Sequence, residues 1–359
     1  MKTLLFSLIS SVSFVSSIFA ITLNPNTTGN SLIVYNSNVG LVHESRKLNL
    51  KKSETEIIYE DVASSINTDS VNVSLPNGIT LFSQQYRFDK LTKYKLLDAH
   101  IGKNISVNIL KDPKNFKTIE ATLLSNDGAH CIVKNKNKIL IVESKNIIFK
   151  KIPQELITKP SLVWNVKSSK DIKSKISIDY LINNITWKSN YILNLHGDEA
   201  DLSGLITIDN RSGKSFKNTS LHVLAGEINR AREPRQNYRV AKTMVQEAYA
   251  SPEVKHNAHE GYHFYTIPFK VNVANNEKTQ IKFISENKIP VERRYKVHMN
   301  NPNYLSSEVS HDVTQYITMK GFEYPIPKGV VRSYSKLGDT NILLGESTIK
   351  HTPKNTDIH

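Results

Sequence analysis

Residues 175–182, KISIDYLI, carry a clear signal for the fold because apolar side chains occupy every second position along them. The apolar positions run from Ile176 to Ile182, and successive side chains of an extended chain point to opposite faces. The pattern therefore predicts a half-buried β-strand. The stretches YILNL, GLITID and LHVLAG follow it, separated by turn-forming residues, so the sequence predicts a β-sandwich domain over residues 156–359.

A polar and basic stretch at residues 229–262 interrupts the sandwich pattern. It includes one segment with helical spacing, residues 239–250, and the strand pattern returns at residues 264–273. An interruption of this length between two strands predicts an exposed, partly helical excursion from the sandwich. The last residues, STIKHTPKNTDIH, are typical of the start of another strand, so we expect the sandwich to be incomplete at its C-terminal end.

Residues 21–100 are predicted to form an N-terminal β-domain that ends in a short helix. Two apolar runs flank the Asn-Ser-Asn sequence at residues 36–38, which predicts a β-hairpin. The Pro-Asn-Gly sequence at residues 76–78 marks another turn. Leucines and a tyrosine recur at helical spacing in LTKYKLLDAH, so we expect the helix over residues 91–100.

Residues 101–155 contain five short apolar runs separated by tight-turn signals. The runs are ISVNIL, FKTIEATLL, AHCIVK, KILIVE and NIIF. Short strands joined in this way favour a small SH3-like or Sm-like barrel, because closing a sheet removes its exposed edges. The whole chain is therefore predicted to be mainly β and multi-domain, with an N-terminal β-domain, a small barrel and a β-sandwich.

The first twenty residues have the layout of a secretory signal peptide. Lys2 supplies the positive charge, an apolar run extends from Leu4 to Phe19, and Ala20 is a small residue at the cleavage position. No other apolar run approaches membrane-spanning length, so we expect no transmembrane span in the mature chain. The sequence predicts a bacterial protein that is periplasmic or secreted after residues 1–20 are removed.

Cys131 is the one cysteine among the 359 residues, so the chain forms no intramolecular disulfide. Small extracellular modules of eukaryotes depend on several disulfides, whereas a bacterial periplasmic protein with a sizeable core does not. Free cysteine is among the most often buried residue types. We therefore expect Cys131 to be a core residue rather than a nucleophile.

The formal net charge of +14 favours anionic partners. Export argues against nucleic acid as that partner. The densest basic segment lies in the excursion and consists of Arg230, Arg232, Arg235, Arg239 and Lys242. We expect this segment either to contact an anionic envelope polymer or lipid headgroups, or to be a solvated loop.

Residues 259–263, HEGYH, match the HExxH pattern of zinc peptidases. On a helix, both histidines would share one face and Glu260 would activate a zinc-bound water. Gly261 weakens a helix, and in an extended chain His259 and His263 would lie about 13 Å apart, at about 3.3 Å per residue. We therefore expect no metal site here, and a metal-dependent hydrolase using these residues is the alternative to a binding function.

Two stretches, ITWKSNYILNL and LSGLITIDNRSGKSFKNTSLHVLAGE, resemble the core of a bacterial family that carries domain of unknown function 4139. That family is distantly related to the mucoidy inhibitor A proteins. The matching residues are Trp187, Tyr191, Asn210, Gly213 and Ala225-Gly226. The resemblance extends over nearly the whole mature chain and implies a secreted, β-rich protein, and it carries over no catalytic residue.

Motifs for catalysis are missing from the sequence: it has no Gly-X-Ser-X-Gly elbow and no glycine-rich phosphate loop. We therefore expect neither enzyme activity nor a cofactor. The sequence predicts a non-enzymatic binding or scaffolding protein of the bacterial cell envelope. It would act through its sheet edges or residues 229–260, on an envelope protein or an anionic envelope polymer.

Overall fold

A computed structural model describes residues 20–112, 115–153, 156–225, 263–298 and 310–359. These residues are mainly β and contain one α-helix, α1, at Lys93–Asp98. The strands are β1 Ala20–Thr22, β2 Gly29–Tyr35, β3 Val39–Leu50, β4 Glu56–Glu60, β5 Asn72–Ser74, β6 Ile79–Arg87, β7 Asn104–Asp112, β8 Asn115–Asn126, β9 His130–Asn135, β10 Lys138–Glu143 and β11 Ile147–Ile148. They continue with β12 Ser161–Ser168, β13 Ile172–Asn183, β14 Ile185–His196, β15 Glu199–Asn210, β16 Phe216–Ala225, β17 His263–Val273, β18 Glu277–Val297, β19 Val313–Met319, β20 Gly329–Leu337 and β21 Thr340–Ile349. The predicted mainly β class, built from several sheets, is confirmed.

Two compact units make up the chain, and each unit combines segments that are distant in sequence. The first unit comprises Met1–Thr28, Ser45–Val62 and Ser74–Ser177. The second comprises Gly29–Glu44, Ala63–Val73 and Ile178–His359. This interleaving differs from the consecutive ranges of the sequence analysis because strands far apart in the chain pair in the same sheet.

The first unit contains a four-stranded sheet with the order β1-β4-β12-β6. β1 is parallel to β4, and β12 is antiparallel to both of its neighbours. Trp164 of β12 is fully buried, its Nε1 donates to Gln84 Oε1 at 2.8 Å, and its ring packs edge-on against Tyr59. A tryptophan with a paired indole N–H adds to the stability of a core, so Trp164 is a packing residue.

The helix α1 precedes a five-stranded antiparallel sheet in the same unit. Thr92 caps the helix by accepting a hydrogen bond from Lys95 N at 3.3 Å, which confirms a short helix within the predicted range. The strand order is β10-β9-β8-β7-β11, and β10 and β11 do not pair with each other within the described residues, so the sheet is open. Cys131 lies in the core of this sheet with Leu97 and Leu123, as the sequence predicts. Burial raises the pKa of its thiol.

Two six-stranded sheets supply the strands of the sandwich. Their orders are β17-β16-β2-β3-β13-β5 and β19-β18-β15-β14-β20-β21. Within the second unit, Trp187 of β14 reaches across from one sheet to the other, because its Nε1 donates to Leu224 O at 3.1 Å. The Trp187 ring also packs edge-on against Tyr265 of β17. These contacts give the second unit a sandwich-like core.

Candidate functional site

The basic and metal-binding residues proposed from the sequence lie almost entirely outside the described part of the chain. β16 ends at Ala225, and the next described residue is His263, which opens β17 and pairs with Ala225. The strand predicted after the HExxH match is therefore confirmed. The candidates outside the described residues are Arg230, Arg232, Arg235, Arg239, Lys242, His259 and Glu260. Their roles stay predictions.

The described residues contain no group of three or more His, Cys, Asp or Glu side chains placed to hold a metal ion. In the same part of the chain, no helix has the length and apolar character needed to cross a membrane. Exposed sheet edges are present there, and an exposed edge is a surface that suits the binding of another chain.

One candidate site of this kind is a cleft of about 570 Å³ in the second unit. β19 and β21 are the two outer strands of one six-stranded sheet, yet side chains of both strands line this cleft. The sheet must therefore curl until its edges approach each other, and it stays open between them. We call this site the edge cleft.

Strand pairing explains how the two edges reach the same place. β18 is 21 residues long; Glu277–Pro290 pair with β15 and Val291–Val297 pair with β19. On the other side, β20 is parallel to β14 and antiparallel to β21. A Cβ at Gly329 would lie 2.5 Å from the carbonyl oxygen of Ser189, so the close approach of β20 to β14 requires glycine there.

The floor of the edge cleft is apolar. Leu193, Met319, Val331, Ile349 and Ile358 line it, and their exposed fractions lie between 2 % and 7 %. Met319 and Ile358 exchange two backbone hydrogen bonds of 3.0 and 2.9 Å, which fix Ile358 beside β19. Such a lining suits the apolar side chains of a ligand.

The rim of the edge cleft adds exposed apolar side chains and little net charge. Val313, Tyr316 and Leu344 are 60 %, 45 % and 52 % exposed. The carboxylate of Glu346 is bound by Arg332 Nε at 2.7 Å, so its charge is compensated. Large apolar side chains are usually buried, and their exposure around a cleft marks an interaction surface.

The backbone at the rim can also bind. Within the described residues, β21 has a hydrogen-bonded neighbouring strand on one side only, and so does β19 except at Met319, whose outer side pairs with Ile358. The free N–H and C=O groups of an edge strand pair with an added strand, and alternate side chains of that strand then enter the adjoining pockets. The edge cleft can therefore hold an extended peptide through its backbone and through every second side chain.

Sequence reasoning did not find this site. The signal in VTQYITM, residues 313–319, is weak because Gln315 interrupts the alternation of Val313, Ile317 and Met319. A strand pattern also does not show whether the strand has one neighbour or two. Only the pairing of the strands shows that β19 and β21 are edges.

No family model, curated protein or solved structure matches the chain. The resemblance to the family with domain of unknown function 4139 therefore stays a prediction.

Proposed function

We propose that this protein is a non-enzymatic binding or scaffolding protein of the bacterial cell envelope, and that it holds an extended apolar segment of a partner envelope protein in the edge cleft. The observation that supports this proposal is that both edges of one sheet line a single cleft with an apolar floor. A strand of a partner protein that enters the edge cleft can pair with the backbone of β19 or β21 and can also cover the apolar floor.

The chemistry of the cleft favours an uncharged peptide. Its floor offers buried apolar side chains, and its one carboxylate side chain, Glu346, is already bound by Arg332. A charged ligand side chain would lose its hydration there without gaining an opposite charge. The preferred segment therefore has small or apolar residues at alternate positions and β-branched residues that favour the extended conformation.

The proposed location is the periplasm or the exterior, and it rests on the signal-peptide layout of residues 1–20. Partners there are envelope proteins that expose an extended segment before or during assembly. The positive net charge of +14 draws the protein towards anionic envelope surfaces, where such partners are found.

A peptide selection tests the proposed function. Random peptides displayed on phage are selected against the full exported protein, and the affinity of the selected peptides is measured by fluorescence anisotropy. We expect the selected peptides to have apolar residues at alternate positions. Leu344→Glu should lower their affinity by about tenfold or more, since it places a charge at the rim of the cleft.

The matched control is Leu337→Glu. Leu337 is 69 % exposed, lies on β20 and does not line the cleft. Peptides that bind wild type and Leu337→Glu equally but Leu344→Glu weakly support the proposal. Selected peptides without alternation, or with equal affinity for Leu344→Glu, would overturn it.

A further inference from the structure

Three lysines share the outward face of β3 and β13 in the first unit. Two contacts determine the antiparallel register of these strands: Ser45 Oγ lies 2.7 Å from Ser177 Oγ, and Lys51 Nζ lies 2.9 Å from Asp171 Oδ2. This register pairs Lys47 with Lys175. Lys173 is two residues before Lys175 on the same face of β13, and it pairs with Asn49. We call Lys47, Lys173 and Lys175 the lysine face.

The lysine face lines a shallow concavity of about 690 Å³. The described residues that line it are Lys47, Leu48, Asn49, Lys173, Ser174 and Lys175, and none of them is acidic. Within the described residues, no carboxylate lies within ion-pair distance of any of the three lysines. The nearest acid in the register, that of Asp171, is already bound by Lys51 Nζ and by the backbone N–H of Lys52.

This arrangement is unfavourable for the empty protein. Residues directly opposite on an antiparallel pair have Cβ atoms about 4.5–5.5 Å apart, and like charges at such positions destabilise the sheet. Lys47 and Lys175 occupy such a pair, and Lys173 adds a third positive charge beside them. A bound anion would relieve this repulsion, and an ammonium group is a good ligand for phosphate oxygens.

We propose that the lysine face binds phosphate groups displayed on an anionic lipid surface. Charge complementarity supports this ligand: three lysines line one concavity, and none of them has a carboxylate partner among the described residues. The site does not depend on the edge cleft, which lies in the other unit and binds apolar residues. The proposal places a binding site for the expected anionic partner on β3 and β13, in addition to the basic segment that begins at Arg230.

Vesicle binding tests the lysine face. The full exported protein is sedimented with phosphatidylcholine vesicles that contain or lack phosphatidylglycerol, and calorimetry with inorganic phosphate measures binding of the free anion. We expect the triple variant Lys47→Gln/Lys173→Gln/Lys175→Gln to lose about 100-fold in affinity for the anionic vesicles, at about 1 kcal/mol per lysine near the surface.

The control variant removes the same charge elsewhere. Lys134→Gln/Lys138→Gln/Lys188→Gln takes three exposed lysines from β9, β10 and β14, and we expect a loss of less than about fivefold. Equal losses in the two triple variants would overturn the proposal, because net charge alone would then explain binding. Absence of binding to both vesicles and phosphate would also overturn it, whereas binding of phosphate alone would support the site and assign it to the free anion.

Thermal stability provides a second measurement that does not require the ligand. Lys175→Glu replaces the repulsion with Lys47 by attraction, so the melting temperature of the empty protein should rise by about 1–3 °C while vesicle binding falls. Lys173 lies opposite Asn49 rather than opposite another lysine. Lys173→Glu should therefore weaken vesicle binding but raise the melting temperature by less than Lys175→Glu does. A lower melting temperature for Lys175→Glu would overturn the argument from repulsion.

Discussion

Asn210, at the end of β15, joins two turns of the second unit. Its fully buried side-chain amide donates to the carbonyl oxygens of Lys214, Val273 and Ala274 at 2.8, 3.3 and 3.2 Å. Its Oδ1 accepts from Ser212 N at 3.1 Å and from Ser212 Oγ at 2.7 Å. Every polar atom of this side chain is therefore used, and the motif residue of the sequence analysis has a structural role here.

Asn210→Ala should lower the free energy of unfolding by about 2–4 kcal/mol, because it leaves several buried polar groups without partners. Urea denaturation followed by tryptophan fluorescence measures the change. Asn190→Ala is the control: Asn190 makes one side-chain bond of 3.2 Å to Thr207, so we expect a loss of about 1 kcal/mol or less. Equal losses in the two variants would contradict the role of Asn210.

Asp89 connects the start of α1 to the segment before β12. Its carboxylate binds Lys95 Nζ at 2.6 Å and accepts from Ile157 N at 3.1 Å, and its side chain is 23 % exposed. The hydrogen bond from Lys95, and then that from Ile157, lower the pKa of Asp89. The ionised form is therefore favoured by folding.

A lowered carboxyl pKa stabilises the fold at pH values above the unfolded pKa of about 3.9, and this stabilisation is lost as the pH falls through the folded pKa. We expect Asp89→Asn to cost about 1 kcal/mol at pH 7 and less below pH of about 4. Urea denaturation between neutral and acidic pH measures the difference. Glu292→Gln, which breaks an exposed pair with Arg294, should have a smaller effect. A difference for Asp89→Asn that does not change with pH would contradict the prediction.

At the scale of the element, the strands follow their patterns best where both neighbours are present. The alternation in β13 and β14 is matched by alternating burial, whereas Phe269 of the edge strand β17 is 52 % exposed although its pattern places it inward. β18 is longer than an ordinary strand and includes both IKFI and VERRYKV. One long strand is favoured because it pairs with β15 and β19 in succession.

β10 is an edge strand with an apolar outer side. Ile139 and Ile141 are 67 % and 74 % exposed, and β10 pairs only with β9 within the described residues. An exposed, apolar edge strand is prone to pair with another chain. Charged residues on such edges are the usual protection, and the outer side of β10 has none at these two positions.

Ile141→Lys should therefore reduce self-association on heating while changing the free energy of unfolding by less than about 0.5 kcal/mol. Light scattering during a thermal ramp measures association. Leu337→Lys is the control, because Leu337 is 69 % exposed on β20, which has a neighbour on each side. Equal suppression by both lysines would mean that surface charge, rather than the β10 edge, controls association.

For the molecule as a whole, the predicted signal-peptide cleavage position lies at the start of the first strand. β1 pairs in parallel with β4 through Ala20, Ile21 and Thr22. Cleavage after Ala20 keeps the last two of these pairs. The predicted signal peptide can therefore be removed without loss of the four-stranded sheet.

We expect N-terminal sequencing of the exported protein to begin at Ile21. A variant without residues 1–20 should remain in the cytoplasm and melt at the same temperature as the exported protein. Fractionation and calorimetry measure both properties. Export of the shortened variant, or an unprocessed N-terminus in the periplasm, would contradict the assignment of the signal peptide.

The residues alone predicted the mainly β class, the short helix near residues 91–100, the burial of Cys131 and the strand that follows the HExxH match. These properties depend on the side-chain period and on local turns, which neighbouring residues encode. The edge cleft, the lysine face and the interleaving of the two units could be seen only in the folded chain. Each of these depends on which distant strands become neighbours, and pairing is selected by the burial of a whole sheet face rather than by any local segment.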